Sequence, residues 1–195
     1  MEFDQVIENR KSIRSFKDKK VSFKLILECI DSALKSPFAG NINNIKFVII
    51  ENSENIKKLA DYSHQSWISH APVLVVVVSN DTHLENLYGE RGRVYSRQQA
   101  GGAIQSFLLK AVDLGLSSCW IGAYTDELIK QLLKIPAHIQ VEALLPLGYE
   151  KPDLKIKQKK QRKKDIETSI FWEEWFSFRR KGLHEDSKDP LALAH

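Results

Sequence analysis

Cysteine is scarce in this chain: there are two among 195 residues, Cys29 and Cys119, far apart and each in apolar surroundings. Neither belongs to a CxxC or Cys/His ligand spacing. A disulfide framework is therefore excluded, and two buried free thiols in a reducing compartment are expected. Long apolar runs are missing as well. The longest, Ala71 to Val78, is well short of the roughly 20 residues that a membrane-spanning helix needs. The opening residues, Met1-Glu2-Phe3-Asp4-Gln5, carry neither a basic n-region nor an apolar h-region. The expectation is a cytoplasmic protein with no membrane association, and the sequon Asn80-Asp81-Thr82 is then a chance match.

Several catalytic signatures are absent too. No GxGxxG is present to support a dinucleotide-binding Rossmann unit, and there is no P-loop, GxSxG elbow or HExxH pair. The six histidines (64, 70, 83, 138, 184 and 195) show no metal spacing, so no metal is expected.

Positive charge is unevenly distributed. Seven of the 29 Lys/Arg lie between Lys155 and Lys164, a stretch with no acid; the other 22 face 25 Asp/Glu, a net of −3. The net charge of +4 is thus one local feature. Nucleic-acid binders spread basic residues over a face and interleave aromatics, which this run lacks, so no nucleic-acid partner is expected.

Hydrophobic spacing outlines the elements. Phe3, Val6, Ile7 and Arg10 follow a helical period, and Arg10 to Phe16 reads as extended. Ser22 is a candidate N-cap for a helix with Leu25, Ile26, Cys29, Ile30, Ala33 and Leu34 on one face, ended by Ser36-Pro37. Phe47 to Ile50 reads as a strand and Asn55 to Tyr62 as a helix. Val73 to Val78, apolar and mostly β-branched, predicts a strand buried on both faces. Asp81 to Ser96 is polar and contains Gly89 and Gly92, predicting a surface excursion.

A long helix through Ala103, Ile104, Phe107, Leu108, Ala111 and Val112 should close at Gly115. The small residues 100–103 would stand at its start, packed against another backbone or a flat ligand. Ser118 to Ile121 reads as a short strand. Thr125 caps a helix that has Asp126 and Glu127 in its first turn, Lys134 in its last, and Pro136 as its stop. Val141 to Leu147 is the last strand. Four strands interleaved with about five helices make an α+β sandwich, a single domain over residues 1–181 followed by a polar tail, 182–195.

The first chemical signal is Arg10-Lys11-Ser12-Ile13-Arg14-Ser15-Phe16. In an extended segment alternate side chains share a face, so Arg10, Ser12 and Arg14 would present two guanidinium forks and a hydroxyl to one side while Ile13 turns to the core. Guanidinium forks match phosphate oxygens bidentately, and the hydroxyl adds a neutral donor.

From Arg10 to Phe16 the chain resembles the Arg-x-Ser-x-Arg/Lys-x-Phe opening of the nitroreductase family of FMN enzymes. Residues Ser36 to Phe47 resemble that family's Ser-Pro-Ser-x-x-Asn-x-Gln-Pro-Trp loop in part. Tyr88 to Arg93, the helix from Ala103 to Leu116, Ser118 to Tyr124, Ile135-Pro136 and Leu145 to Tyr149 are similar to family segments in the same order. Together they span about Phe3 to Trp175.

The resemblance implies an α+β fold: a central, mostly antiparallel sheet flanked by helices, with a C-terminal arm wrapping a dimer partner. It implies FMN at the homodimer interface and NADH or NADPH as electron donor, with a small acceptor such as a nitroaromatic, a quinone or free flavin. Arg10, Ser12 and Arg14 would hold the phosphate and ribityl chain, joined by Arg162 and Lys163 of the basic run. Pro37, Phe38, Ala39 and Asn41 would come from the partner subunit and line the flavin, and Asn43 would hydrogen-bond a flavin edge with a shorter reach than the family's Gln. Gln99 would face the ring, and Ile121 and Gly122 would lie beside it with a backbone N–H near N5. His64 and Trp67 stand where the family can touch the flavin.

Phe171, Trp172, Trp175 and Phe176 would pack the arm. No catalytic side chain is implied. Here Asn43-Asn44-Ile45 replaces Gln-Pro-Trp and Phe38 replaces a small residue, which bears on the acceptor pocket. The alternatives are an FMN dehalogenase, a nicotinamide-independent dehydrogenase, or a flavin-binding protein with little turnover.

Overall fold

The computed structural model describes residues 1–151 and 169–177. The chain divides into two compact units, Met1–Asp153 and Leu154–His195. Arg162, Lys163 and the expected domain boundary after residue 181 lie outside the described residues.

The first unit is built on four antiparallel strands, β1 (Ile45–Ile50), β2 (Val73–Ser79), β3 (Ser117–Ser118) and β4 (Gln140–Gly148), in the order β1-β2-β4-β3. Every residue of β2 is buried. Val73, Val75 and Val77 pack with helices α2 (Phe23–Leu34) and α5 (Arg91–Asp113) on one face. Leu74, Val76 and Val78 pack with α3 (Ser53–Tyr62) and α6 (Asp126–Leu133) on the other. Helices cover both faces, which is why β2 reads as an unbroken apolar run although its neighbours are antiparallel. Each fully buried Val or Leu side chain contributes about 1.5–3 kcal/mol.

Opposite the Val77/Val78 step, β4 carries one extra residue: Val77 pairs with Ala143 and Val78 with Val141, leaving Glu142 unopposed. This bulge resets the alternation, so Val141 and Ala143 face opposite sides, and it re-aims the Glu142 side chain.

Helix α1 (Phe3–Asn9) ends at Arg10, and α2 ends before Pro37, as the sequence predicts. Ser22 stands at the N-cap of α2 but makes no side-chain cap bond; the Asn52 side chain does cap α3, accepting from Asn55 N–H at 3.0 Å. Gly115, with φ 72°, follows the last turn of α5. Lys134 is not in the last turn of α6 but is its left-handed cap, at φ 54°. The strand expected at Ser118 to Ile121 shortens to Ser117–Ser118, with Ile121 bridging Leu144 alone.

The surface excursion expected at Asp81 to Ser96 is instead helical: α4 (Thr82–Tyr88) turns at Gly89, φ 58°, directly into α5. Its polar residues are paired, Arg93 with Glu85 and Arg97 with Asp81, and Gly92 touches the α4 backbone. Residues 100–103 therefore lie mid-helix. Ala100 and Ala103 pack in the core, while a Cβ at Gly102 would meet nothing within 4 Å.

In the second unit, the Phe171 ring lies 4.7 Å from Trp175 and 5.4 Å from Phe176 between centroids.

Candidate functional site

The segment after α1 joins the sheet edge. Ser12 bridges Ser118 in parallel, Ile13 N–H donates to Ser118 O at 3.0 Å, and Lys17 N–H donates to Tyr149 O at 2.8 Å. Ile13 and Phe16 are buried with Ala71, which leaves Ser12 and Arg14 exposed and Arg10 half-buried. Neither Arg10 nor Arg14 forms an ion pair with a carboxylate among the described residues. The Arg14 guanidinium stands 6.0 Å from the Trp67 ring centroid, and Trp67 stacks on Phe16 at 6.5 Å.

The adjoining Cys119 thiol is buried. Burial pushes that thiol up, against the field of Arg14, a hydrogen bond with Ser12 and the field of Arg10. Beside the Ser12 bridge, the buried Ser118 hydroxyl has no hydrogen-bond partner among the described residues. Two unneutralised guanidiniums and a hydroxyl, next to an unsatisfied buried hydroxyl, suit a phosphate dianion.

Just downstream, the N–H and C=O of Ile121 are both used by Leu144, at 3.0 Å each. Gly122 is exposed, its N–H makes no hydrogen bond among the described residues, and a Cβ there would meet only Trp120 Nε1, at 4.0 Å. Trp120 also reaches Gly101 on α5, at 3.9 Å from a Cβ placed there. Gly101, Gly102, Trp120 and Gly122 thus border open space where a flat ring can approach backbone. His64 is exposed, in the left-handed region at φ 52°.

The second group precedes β1. Pro37, Asn41 and Asn43 are exposed, and Phe38 and Ala39 half-buried. Gly40 and Asn41 both take φ 58°, and a Cβ on Gly40 would meet Tyr88 Oη at 2.7 Å. Asn43 Oδ1 accepts from Ile45 N–H at 3.0 Å, so that side chain turns back on its own loop. Gln99 is buried at 6% exposure and its amide is committed. Its Oε1 accepts from Ala39 N–H at 3.0 Å; its Nε2 donates to Ile42 O at 3.3 Å and to Asn44 Oδ1.

Sequence reasoning missed the cluster behind this loop. Asn44 Nδ2 donates to Asn80 O at 3.1 Å and to Ser96 Oγ at 2.7 Å, and Ser96 donates to Asp81 Oδ1 at 2.6 Å. Arg97 pairs with both Asp81 and Glu142, and Ser79 donates to Glu142. Burial pushes the Glu142 carboxyl up, opposed by the Ser79 hydrogen bond and the Arg97 charge. Arg93, Arg97, His138 and Gln140 line an open cleft of about 600 Å³ beside it. A signal for the cluster was present: Ser96 and Gln99 share a helix face with Gly92, Ala100 and Ala103, a polar pair inside an otherwise small, apolar stripe.

Comparisons with known proteins point to one family and fold. A sequence model described as the Nitroreductase family matches residues 7–82 and 63–149. A Methanothermobacter thermautotrophicus protein, provisionally named an NADH dehydrogenase/NAD(P)H nitroreductase, is 31% identical over 154 residues, covering 76% of this chain and 78% of its own. The FMN reductase [NAD(P)H] of Bacillus subtilis is 26% identical, covering 72% of this chain and 63% of its own. A crystal structure of a nitroreductase family protein from Clostridium novyi NT superposes with a TM-score of 0.72 at 28% identity, over 91% of this chain and 96% of that one.

Proposed function

The chain belongs to the nitroreductase family, and from that premise we propose that it is an FMN-dependent oxidoreductase passing electrons from NADH or NADPH to a small acceptor. One observation carries this reading: Arg10 and Arg14, both without a carboxylate partner among the described residues, flank Ser12 at an ordered sheet edge. The names of the relatives, NAD(P)H nitroreductase and FMN reductase, support the donor and the cofactor.

A bound flavin supplies hydride acceptance and delivery, and the protein supplies position and electrostatics. Arg10, Ser12 and Arg14 bind the phosphate, and Arg162 and Lys163 are proposed as further phosphate ligands from the basic run. Gly122 offers an uncommitted N–H beside the space bordered by Trp120 and Gly101. Such a donor, fixed before reaction, favours negative charge developing next to it. No side-chain acid or base is assigned.

The chain acts as a homodimer in this reading. The loop 37–43 leads into β1, at the opposite edge of the sheet from β3 and the arginine cluster. Three interstrand spacings, about 14 Å, separate these edges. Pro37, Phe38, Ala39 and Asn41 are assigned to the flavin of a partner subunit, and Asn43 to a flavin edge, as the family resemblance implies. Exposed apolar residues on α1 and α2, namely Phe3, Ile7, Phe23, Leu27 and Leu34, offer the surface such a pairing needs. The cytoplasm is the proposed compartment, consistent with two free, buried thiols.

The test is a visible spectrum of the purified protein, with FMN added if it is colourless. Flavin absorbance that bleaches with NADH or NADPH is expected, and failure to take up FMN overturns the reading. Uptake without bleaching by either nucleotide would point to a nicotinamide-independent chemistry. Replacing Arg10 and Arg14 together by Ala should weaken FMN binding by about a hundred-fold or more, since each charged hydrogen-bonding group contributes about 1.5–3 kcal/mol.

A further inference from the structure

The loop 37–43 is short, exposed and doubly left-handed at Gly40 and Asn41, yet its backbone is held at several points. The bond from Ala39 N–H to Gln99 Oε1 fixes its middle, and Gln99 Nε2 fixes its exit at Ile42 O. Asn44 receives the same amide and is itself held by Asn80 O and Ser96 Oγ. Behind Ser96 stand Asp81 at the start of α4, Arg97 on α5, Ser79 on β2 and the bulged Glu142 on β4. The chain of bonds therefore runs from the sheet core to the loop without a gap. Gln99 is its last link.

We infer that Gln99 is a positioning residue rather than a flavin ligand: its amide sets the backbone of Ala39 to Asn44, and so the placement of Phe38 and Asn41 toward the partner's flavin. The inference rests on the proposed function for the words "partner's flavin", but the pinning of the loop stands on this chain alone. Both Nε2 protons are used, so Nε2 cannot donate to a cofactor without releasing the loop, and Oε1, which already accepts from Ala39 N–H, keeps one lone pair on a residue only 6% exposed. A buried network of this kind specifies one geometry only while all its members are satisfied. Phe38 packs against the core one residue before the pinned Ala39 amide, so loosening Gln99 also loosens that side chain.

Hydrogen exchange with and without FMN tests this. Gln99→Met is nearly isosteric and removes both polar ends; Gln99→Glu retains the acceptor for Ala39 N–H. In Gln99→Met, the segment 38–44 should exchange about ten-fold faster, as expected for loss of a hydrogen bond of about 1.4 kcal/mol, while β2 is unchanged. FMN Kd should rise by about the same factor, because ordering the loop must then accompany binding. Gln99→Glu, which keeps the acceptor for Ala39 N–H but sets a carboxylate oxygen against Ile42 O and Asn44 Oδ1, should also speed exchange over 38–44.

Unchanged exchange over 38–44 in Gln99→Met overturns the inference, as does faster exchange with FMN affinity unaltered. Should Gln99→Met not fold, the wild type decides: saturating FMN must slow exchange over 38–44, and no slowing refutes the assignment. A wild type that takes up no FMN refutes the proposed function instead, and the exchange of Gln99→Met then decides the pinning by itself.

Discussion

At the residue scale, one arginine of the proposed phosphate site rests on neighbours outside the Arg10, Ser12, Arg14 triplet. Trp67 carries Arg14 over its ring and is itself stacked on Phe16, so the guanidinium has a preferred resting place. Trp67→Leu should weaken FMN binding by about two- to five-fold, the loss of a partly exposed cation–π contact of about 0.5–1 kcal/mol. Fluorescence titration with FMN measures it, and unchanged affinity would remove Trp67 from the site. The thiols give a second expectation. Burial pushes Cys29 up to about 12, outweighing the Lys110 charge, and raises Cys119 in spite of the nearby arginines. Thiolate is the reactive form. Ellman's reagent at neutral pH should therefore find no reactive thiol in the folded protein and two after denaturation; one fast thiol in the native state would contradict this. The alternation of Arg10, Ser12 and Arg14 about buried Ile13 was legible in the sequence, because it needs only extended backbone. Trp67 was legible as a position where the family can touch the flavin, but its contact with Arg14 was not, because the two stand 53 residues apart in the chain.

At the scale of elements, the corner between α4 and α5 separates what periodicity can and cannot reveal. Polar residues from Asp81 to Ser96 read as solvated surface, yet they form two helices whose charges pair with each other and whose contact is made by Gly92. A Cβ on Gly92 would run into the Leu84 carbonyl and the Glu85 N of the neighbouring helix. These are backbone atoms, which cannot move aside as a side chain can. Gly92→Ala should then destabilise the fold by about 1–3 kcal/mol, the usual cost of overpacking. Urea unfolding reads this directly, and a variant as stable as wild type would show that α4 shifts freely. By contrast, α2, β2 and the close of α5 at Gly115 were all legible, since each has one strong local signal: apolar period, β-branched run or left-handed glycine.

At the scale of the whole molecule, the sheet brings Ser79, Glu142 and Arg97 together from β2, β4 and α5. Glu142 is held above the ordinary carboxylate range, by burial first, against the Ser79 bond and the Arg97 charge. A carboxyl whose folded pKa is raised binds its proton more tightly in the folded state, so stability falls as pH rises from the unfolded value through the folded one. Glu142→Gln should abolish that fall. Urea midpoints for both proteins at intervals from pH 4.5 upward give the measurement. If the difference between them does not change with pH, Arg97 outweighs burial and Glu142 is ionised throughout. Because the same cluster backs the Gln99 loop, the experiment also reads how firmly the sheet end is tied.

The sequence by itself determined the elements with a local cause and the alternation of Arg10, Ser12 and Arg14 about buried Ile13, which sits within seven consecutive residues. Only the tertiary structure decided what Gln99 does. Its partners Ala39 and Asn44 stand 60 and 55 residues away in the chain, and Glu142 reaches the cluster through a bulge visible only in the pairing of β2 with β4. A buried amide takes its role from the groups that satisfy it, and those are assembled by the packing of α5 on the sheet rather than by any spacing along the chain.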